Sequence, residues 1–462
     1  MEDHKTANAS LEQRLLKPGQ AAYDSVRAVW NGMIDRKPAA ILRCQCAADV
    51  QRGIAWAAAA GLPVSIKAGG HNVAGHAVGA GSLMLDLSGM RKVTVDPAER
   101  IAWVEGGALW GDVDAATQAH GLATPGGLIS ETGVAGLTLS GGVGWLRSRH
   151  GLSIDNVLAA EVVTADGQLI LADNQRHPDL YWALRGGGGN FGVVVRFCFA
   201  LHPIGPEVMF CAPIYPASVG SAPIRFWRDF ISRESDRLGS LVEFSTIPQS
   251  TDYDAAYWGQ PCYTIAAVYA GDAAEGDKIV EPLRNLGTKA ADFSGRMAYC
   301  DVQKLFDALF PTGQYRCYWK SHLLADLSDE MIEEGLANAI DNPSPKSISS
   351  FWNFGGATAR VPADETAFGD RGFGWMYSLD SVWERKEDDA KVRDWTRAAW
   401  DRFRKHAYRK RLYLNFAGQD EDSAALTEDA FGPHLARLRK IKAAYDPGNM
   451  FRFNQNILPA KI

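Results

Sequence analysis

The chain lacks the sequence features of a membrane-bound or secreted protein. No run approaches the roughly 20 consecutive apolar residues that a membrane-spanning helix needs. The N-terminus begins with charged residues and has no apolar segment of the kind found in a signal peptide. These absences predict a cytoplasmic protein without a membrane partner.

Closely spaced cysteines and an excess of positive charge are also lacking. The seven cysteines are scattered, and only Cys44 and Cys46 lie near each other, with no second pair to complete a zinc site. Their odd number fits free thiols in a reducing compartment. The net charge of −6 provides no general attraction to nucleic acid. We therefore expect neither a bound metal nor a nucleic-acid partner.

The chain is long and apolar enough to bury a large core. Its 462 residues, 46% of them hydrophobic and 22% charged, predict a globular protein of two domains. In the first 205 residues, short strand-like runs alternate with helices, and glycine clusters fill the joints. Beyond about residue 207, strand-like segments alternate with amphipathic helices and aromatic residues accumulate. This change of pattern predicts a domain boundary near residue 206.

The first glycine motif follows a short apolar run. Residues 67–76 read Lys-Ala-Gly-Gly-His-Asn-Val-Ala-Gly-His, directly after the strand-like residues 62–66. A strand that ends in paired glycines presents several backbone N–H groups in one concave turn, which suits a pyrophosphate. The imidazole of His71 follows that turn at once. The motif predicts a phosphate-binding turn with a histidine beside it, and the alternative is an ordinary turn with a solvated histidine.

A second glycine-rich loop spans residues 133–145, and four more glycines follow a helix that begins at Pro178. Residues 187–192 fit the Gly-x-Gly-x-x-Gly pattern of dinucleotide-binding folds. They follow a helix and precede a strand, which is the reverse of the order that this motif requires. The sequence therefore predicts no NAD site.

These blocks, together with residues 445–457 near the C-terminus, resemble in this order the berberine-bridge-enzyme-like branch of the vanillyl-alcohol-oxidase family, and its bacterial members in particular. The resemblance extends from about residue 38 to the end. It implies the α+β fold of that family, known as the PCMH-type fold. We expect an FAD-binding domain over residues 1–206, with its core at about 36–205. An antiparallel-sheet substrate domain flanked by helices would span 207–413, and residues 414–462 would complete the FAD domain.

The resemblance also implies how the FAD is attached. In this family the histidine after the paired glycines is bonded to the 8α-methyl group of the flavin, which is His71 here. Many members carry a second link through a cysteine just before the second glycine loop. Ile129 stands at that position, and no cysteine lies between Cys46 and Cys198. We therefore expect FAD to be attached once only.

The residues expected to contact FAD combine backbone N–H groups with small polar side chains. By resemblance, Thr132 and Leu137 lie close to the flavin face where oxygen reacts, and two C-terminal asparagines lie near the flavin ring. The alternatives are that Gly141 and Gly142 only permit close packing, and that the asparagines belong to a solvated tail. The expected set is Lys67, Ala68, Gly69, Gly70, His71, Asn72, Thr132, Gly133, Gly136, Leu137, Ser140, Gly141, Gly142, Gly144, Asn156, Val162, Asn190, Asn454 and Asn456.

The substrate side is predicted from aromatic residues on strand-like segments. Tyr413 and Asn415 are two residues apart on a segment predicted to be extended, so their side chains share one face. Trp375 and Tyr377 repeat this spacing, although plant members of the family often carry lysine and glutamine there. A tyrosinate could accept a proton and an amide could orient the substrate, unless these aromatic residues pack the core. The expected catalytic residues are Tyr413, Asn415 and Tyr377, and the expected pocket residues are Tyr318, Lys320, Trp352 and Trp375.

The resemblance implies an FAD-dependent oxidase. The reaction would be a two-electron oxidation of a small organic substrate by hydride transfer to flavin N5, with O2 as the acceptor and H2O2 as the product. The aromatic slot favours a ring-bearing alcohol, phenol or amine. The sequence leaves open a dehydrogenase with a different acceptor, a carbohydrate oxidase, and a flavin-binding protein without turnover.

Overall fold

The computed structural model of this protein describes residues 11–234, 236–369, 371–419 and 423–461. Within these ranges the fold is α+β, as expected, and no helix is long and apolar enough to cross a membrane. The strands, in chain order, are β1 (Leu15–Leu16), β2 (Ala40–Arg43), β3 (Val64–Lys67), β4 (Leu83–Asp86), β5 (Val93–Asp96), β6 (Ile101–Glu105), β7 (Leu122–Ala123), β8 (Val157–Val163), β9 (Leu169–Ala172), β10 (Val193–Ala200), β11 (His202–Pro203), β12 (Glu207–Cys211), β13 (Pro213–Pro216), β14 (Leu238–Thr246), β15 (Pro261–Tyr269), β16 (Ala291–Asp292), β17 (Gly295–Ala298), β18 (Arg316–Leu324), β19 (Ile348–Asn353) and β20 (Trp375–Trp383).

Short helices connect these strands, and the longer ones cover sheet faces. In chain order, the α-helices are α1 (Tyr23–Arg27), α2 (Ala47–Ala60), α3 (Trp110–Gln118), α4 (Val134–Leu139), α5 (Arg147–His150), α6 (Pro178–Leu184), α7 (Ala222–Arg233), α8 (Ala273–Arg284), α9 (Tyr299–Val302), α10 (Asp329–Ile340), α11 (Ala357–Arg360), α12 (Asp389–Phe403), α13 (Ser423–Phe431) and α14 (Leu435–Tyr445).

The N-terminal half contains a four-stranded sheet in the order β1-β2-β4-β3. Strands β2 and β3 both run parallel to β4, which is buried along its whole length. Helix α2 buries Val50, Ile54 and Ala57 in the same apolar cluster as the strands, because these residues recur at helical spacing on one face. The helix ends at Gly61, whose left-handed φ of +65° closes its last turn. The glycine turn of residues 69–70 therefore begins where a buried parallel strand, β3, ends.

A five-stranded antiparallel sheet, β5-β6-β10-β8-β9, completes this half, and the C-terminal segment packs against it. Lys442 on α14 is fully buried and ties that segment to the rest. Its ammonium group donates to Asp446 at 2.7 Å, to the carbonyl of Asn190 at 2.7 Å and to the carbonyl of Phe451 at 2.9 Å. The tail is thereby held against the loop before β10.

The second half forms a nine-stranded antiparallel sheet whose main path is β16-β13-β15-β14-β19-β20-β18, with β12 and β17 beside it. Helices α7, α8, α10 and α12 pack on one face of this sheet and bury its apolar side chains there. Among the described residues, the opposite face meets the N-terminal half and the short helices α5 and α9 instead of a layer of long helices. Because side chains alternate along a strand, each strand contributes to both environments.

Arg147 on α5 joins the two halves in a buried contact. Its guanidinium donates to the carbonyl of Gly144 at 2.9 Å, to the carbonyl of Asn353 at 2.7 Å and to the carbonyl of Ser240. Burial lowers the pKa of this side chain to about 9. Next to it, Gly239 on β14 allows the backbone of Trp145 to come close, because a Cβ there would lie 1.8 Å from the Trp145 carbonyl oxygen.

We predict that Gly239→Ala destabilises the junction between the halves. The added methyl group must displace backbone rather than a flexible side chain, and overpacking of this kind costs about 1–3 kcal/mol or more. The midpoint of urea unfolding should fall relative to the parent protein. Gly295→Ala is the matched control, since a Cβ at Gly295 meets nothing within 4 Å. Equal midpoints for both variants would contradict this account of the junction.

Candidate active site

A cleft lies between the glycine-rich loops of the N-terminal half and the face of the nine-stranded sheet that lies opposite its long helices. It encloses about 1820 Å³ of space between its lining atoms, with its open mouth included. One wall is built from residues 68–72 and the second glycine loop, and the tail at residues 451–455 closes one end. The facing wall comes from β14, β18, β19 and β20. The cleft thus brings the predicted cofactor side and the predicted substrate side into one space.

The two glycine loops touch each other at the floor of the cleft. A Cβ on Gly69 would lie 2.4 Å from the backbone nitrogen of Gly133, and the reverse substitution meets the same obstruction. Gly70 has a φ of +69°, a conformation that residues with a side chain rarely adopt. Glycine is therefore required here for the contact between the loops as well as for the turn.

His71 lies at the edge of this contact, with its ring against Trp30. The two ring centroids are 4.7 Å apart and the planes differ by 20°. The Trp30 indole donates to the carbonyl of Phe310 at 2.8 Å, which fixes the orientation of that ring. Among the described residues, His71 Nε2 is buried without a hydrogen-bond partner. Burial lowers the pKa of His71 to about 3, so its imidazole is neutral and nucleophilic near neutral pH.

The residues around the cleft fit FAD. Backbone from both glycine loops faces it, and a Cβ on Gly136 or Gly189 would meet nothing within 4 Å, so these glycines border open space. Asn454 contributes a buried Oδ1 without a partner among the described residues. The neutral ring of His71 opens onto the same space. Fourteen of the predicted site residues line it: Ala68, Gly69, Gly70, His71, Asn72, Thr132, Gly133, Gly136, Leu137, Ser140, Asn454, Tyr413, Asn415 and Trp352.

The other residues expected to contact FAD lie behind the cleft wall. Lys67 donates to the carbonyls of Val26 at 2.7 Å and Ala28 at 2.8 Å, so its ammonium group holds neighbouring backbone in place. At Gly142, a Cβ would lie 2.1 Å from the Ser153 hydroxyl, so close packing explains this glycine. The residues that do not line the cleft are Lys67, Gly141, Gly142, Gly144, Asn156, Val162, Asn190 and Asn456.

Tyr413 and Asn415 do meet in the cleft, although not on a strand. Residues Leu414–Phe416 form a short 3₁₀ turn, and the amide of Asn415 donates to the Tyr413 hydroxyl at 2.8 Å. The backbone N–H of Gly142 donates to the same oxygen at 3.1 Å. Burial raises the pKa of Tyr413 to about 12. The phenol is therefore neutral and its O–H proton is available for donation, so the expectation of a tyrosinate acceptor is wrong.

Four predicted substrate-side residues lie on the wrong face of the sheet. Tyr377 stacks on Phe403 at 4.0 Å under the helices, and Trp375 packs edge-on against another tryptophan there. Tyr318 packs in a separate buried cluster, and the Lys320 ammonium lies 3.9 Å from the Trp400 ring centroid. On β18 and β20 the cleft is lined by the alternate residues, because a shift of one residue moves a side chain to the opposite face. Trp352 on β19 does line the cleft.

The residues that face the cleft from these strands include two carboxylates that the sequence analysis missed. Glu243 on β14 and Asp380 on β20 line it, together with Trp319, Ser350 and Trp352. Strand β14 was not predicted at all. A signal was present in the sequence, because Glu243 and Asp380 are single acidic residues inside otherwise uncharged strand-like runs. Acidic residues are rarely buried in such a run unless they have a partner.

The two carboxylates have raised pKa values. Asp380 is 6% exposed, and burial raises its pKa to about 7. Burial and the nearby charge of Asp380 raise the pKa of Glu243 to about 8. The Ser378 hydroxyl donates to Asp380 Oδ2 at 3.0 Å and accepts from the Trp352 indole at 3.1 Å. Asp380 Oδ1 is buried without a partner among the described residues, so the carboxyl can exchange a proton with a molecule in the cleft.

Comparison with known proteins places two segments of the chain in families. Residues 38–173 match the family described as FAD binding domain, and residues 412–458 match the family described as berberine and berberine like. The chain is 28% identical to (R)-6-hydroxynicotine oxidase of Paenarthrobacter nicotinovorans, over 97% of each protein. It is 28% identical to xylooligosaccharide oxidase of Thermothelomyces thermophilus, over 94% of this chain and 90% of that protein.

A solved structure of 6-hydroxy-D-nicotine oxidase from Arthrobacter nicotinovorans superposes on this protein with a TM-score of 0.84. The two chains are 26% identical, and the match covers 96% of this chain and 98% of the other. The similarity therefore extends through both halves and the tail.

We predict that Asp380 makes the stability of the protein depend on pH. Its carboxyl holds a proton in the folded state up to about pH 7, whereas the unfolded chain releases it near pH 4. Stability should therefore fall as the pH rises through this window, by an amount on the order of 4 kcal/mol. Asp380→Asn cannot titrate, so the urea midpoint of this variant should fall less between about pH 4 and about pH 8.

The exposed Asp252→Asn is the control for this experiment, because it removes a carboxylate at the surface. Its urea midpoint should follow that of the parent at every pH. An Asp380→Asn midpoint with the same pH dependence as the parent would show that the cleft does not hold this proton.

Proposed function

We propose that this chain, an FAD-linked oxidoreductase similar to berberine-bridge-enzyme-like proteins, is an oxidase of a small ring-bearing alcohol, phenol or amine. The observation that carries this proposal is that one cleft is lined by His71, by aromatic side chains and by a carboxyl group with one unpartnered oxygen among the described residues. We further propose that O2 is the electron acceptor and that residues 207–413 form the substrate domain inserted into the FAD domain.

The glycine loops and the tail would hold the cofactor. Backbone of residues 68–72 and 133–140 and the amide of Asn454 provide polar contacts without side-chain bulk. FAD, when bound, supplies a two-electron acceptor for hydride from a substrate carbon and passes the electrons to O2, with H2O2 as the product. His71 is the residue that we propose to be covalently bonded, because its ring is neutral, oriented by Trp30 and in contact with the cleft.

The proton that leaves the substrate oxygen or nitrogen needs an acceptor, and the proposal assigns this role to Asp380. Its pKa near 7 is matched to a general base that works close to neutral pH. Ser378 holds one carboxyl oxygen in place and leaves the other toward the cleft. Tyr413 takes the complementary role of a neutral hydrogen-bond donor that orients the substrate, with Asn415 and Gly142 fixing its oxygen.

Thr132 and Leu137 line the cleft beside the second glycine loop, and we propose that they border the path of oxygen. A threonine leaves more room than a bulky side chain. The facing region is apolar, because the rings of Phe310, Trp319 and Phe416 pack edge to face there at 5.2–5.7 Å. A dry site strengthens every polar interaction with a bound substrate.

A carbohydrate is the second candidate substrate. The relative that oxidises xylooligosaccharides is 28% identical to this chain, and Trp319 and Trp352 could stack on sugar rings. The acidic, otherwise apolar wall offers few hydrogen-bond donors to sugar hydroxyl groups, which is why we place this candidate second.

We predict that FAD is covalently attached at His71 and nowhere else. The denatured protein should remain yellow, and peptide mapping should locate the flavin on the fragment that contains His71. In His71→Ala, acid precipitation should release all yellow colour from the pellet. His76→Ala, which changes the other cleft histidine, should retain the bond. A colourless parent pellet, or a flavin adduct on a cysteine, would contradict single attachment at His71.

The test of oxidase function is an anaerobic screen of ring-bearing alcohols, phenols and amines for loss of the visible flavin absorbance. At least one compound should bleach the flavin, and air should restore the colour with release of one H2O2 per flavin. Restoration by a dye but not by air would identify a dehydrogenase. Absence of bleaching by every compound would leave a flavin-binding protein without turnover.

With a compound that bleaches the flavin, Tyr413→Phe should slow reduction about tenfold to hundredfold, because it removes one hydrogen bond to the reacting group. Reoxidation by O2 should change little. Tyr377→Phe is the matched control, since it also removes a buried phenol hydroxyl but on the helix-covered face. Reduction of Tyr413→Phe within about twofold of the parent rate would remove Tyr413 from the mechanism.

A further inference from the structure

The charged side chains that line the cleft are of one sign. Among its described lining residues, Glu243 and Asp380 are the carboxylates, and lysine and arginine are absent. His71 and His76 also line it, and burial lowers their pKa values to about 3 and about 4, so both are neutral near pH 7. Tyr413 is neutral as well. The protein therefore gives the two carboxylates no positive partner within the cleft.

Two basic side chains on neighbouring elements make contacts outside the cleft. Lys320 is adjacent to Trp319 on β18, but its ammonium points to the opposite side of the sheet and lies over Trp400. The Arg147 guanidinium is used by backbone carbonyls of Gly144, Asn353 and Ser240. When Glu243 and Asp380 ionise, the positive charge that balances them must therefore come from a molecule that enters the cleft.

One carboxyl oxygen at this site is available to a ligand. Asp380 is more than nine-tenths buried, and its Oδ1 has no hydrogen-bond partner among the described residues. The register of the sheet places Glu243 opposite Ser350 and Ser350 opposite Ser378, so β19 separates the two acidic strands. The two carboxylates thus face the cleft from β14 and β20, on either side of Ser350.

The aromatic wall suits the same kind of ligand. Trp319 is the cross-strand neighbour of Asp380, and Trp352 is linked to it through the Ser378 hydroxyl. Indole faces attract cations, with about 0.5–2 kcal/mol gained per contact. An aromatic wall beside unpaired carboxylates is the environment in which proteins hold substituted ammonium groups.

We propose that Glu243 and Asp380 form a cation-recognition site and that the substrate of this enzyme is an amine that enters the cleft protonated. This inference rests on the proposed oxidase function and narrows its substrate class. A neutral alcohol or sugar could hydrogen-bond to the two carboxyl groups but would bring no charge to balance them, so they would stay protonated beside it. An ammonium group pairs with them in the ionised state, which is the state that a general base needs.

The chemistry follows from this choice. The ammonium group first gives one N–H proton to Asp380, and the neutral nitrogen regains its lone pair. The lone pair then forms a C=N bond as the neighbouring carbon loses hydride, and the two electrons leave with that hydride to the FAD acceptor. Asp380 is the catalytic residue in this series of steps, and the Glu243 carboxylate pairs with the positive charge of the iminium product.

The test is a calorimetric titration of the oxidised holoenzyme with benzyltrimethylammonium and with benzyl methyl ether. The first probe is a permanent cation that cannot be deprotonated or oxidised through its nitrogen, and the second is neutral. At about pH 8 the cation should bind at least tenfold more tightly than the ether. Its affinity should fall as the pH is lowered to about 5, since Glu243 and Asp380 become protonated and the probe does not titrate.

Asp380→Asn and Glu243→Gln should each weaken cation binding about tenfold and leave ether binding within about twofold. Asp114→Asn is the matched control. Asp114 is also buried and also has a pKa raised to about 7 by burial, but it contacts Gln303 outside the cleft. This variant should bind both probes as the parent does.

Equal affinities for the two probes, no binding of the cation, or cation binding that neither cleft variant weakens would each overturn the inference. The outcome is separable from that of the oxidase proposal. If neutral alcohols bleach the flavin and the cation does not bind, the enzyme is an oxidase of neutral substrates. If the cation binds through both carboxylates and no amine bleaches the flavin, the cation site stands and the oxidase proposal fails.

Discussion

Within the described residues, the four long helices of the second half cover one face of the nine-stranded sheet, and the position of the substrate-side residues depends on this asymmetry. Helices α7, α8, α10 and α12 bury one set of alternating side chains, including Phe351 and Tyr377. Where the other set borders the cleft it packs against none of these long helices and can be polar, and Glu243, Ser350 and Asp380 lie there. One face of the sheet therefore contributes apolar packing with the long helices, and the other contributes polar residues to the cleft. Because side chains alternate along each strand, the two sets of residues stay on separate faces.

The glycines of the N-terminal half serve two different physical purposes. Gly69 and Gly133 allow two loops to touch, and Gly142 accommodates Ser153, so a side chain at any of these positions meets the protein itself. Gly136 and Gly189 border open space in the cleft. The first group sets the shape of the wall and the second leaves room for a ligand, although all five look alike in the sequence.

Local patterns predicted much of the fold and part of the site. The alternation of short strands with helices predicted for the first 205 residues is present, and His71, Thr132 and Asn454 line the cleft. The face of β20 could not be read from its sequence, because Trp375, Met376, Tyr377 and Leu379 are apolar on both sides. Strand β14 was missed for a related reason: Gly239, Ser240 and Glu243 interrupt its apolar run, and each of them has a role that only the tertiary structure reveals.

The same dry environment acts on the two sides of the cleft in opposite senses. Burial disfavours charge, so it lowers the pKa of His71 to about 3 and raises those of Asp380 and Glu243 to about 7 and about 8. Near neutral pH, His71 is then a neutral nucleophile while the carboxyl groups are poised between their two protonation states. A buried acid whose pKa lies near the working pH adds little to the free energy of unfolding. A neutral side chain of similar size would avoid the cost of burying the acid. The presence of Asp380 and Glu243 is explained if these carboxyl groups exchange protons with a bound molecule or pair with its positive charge.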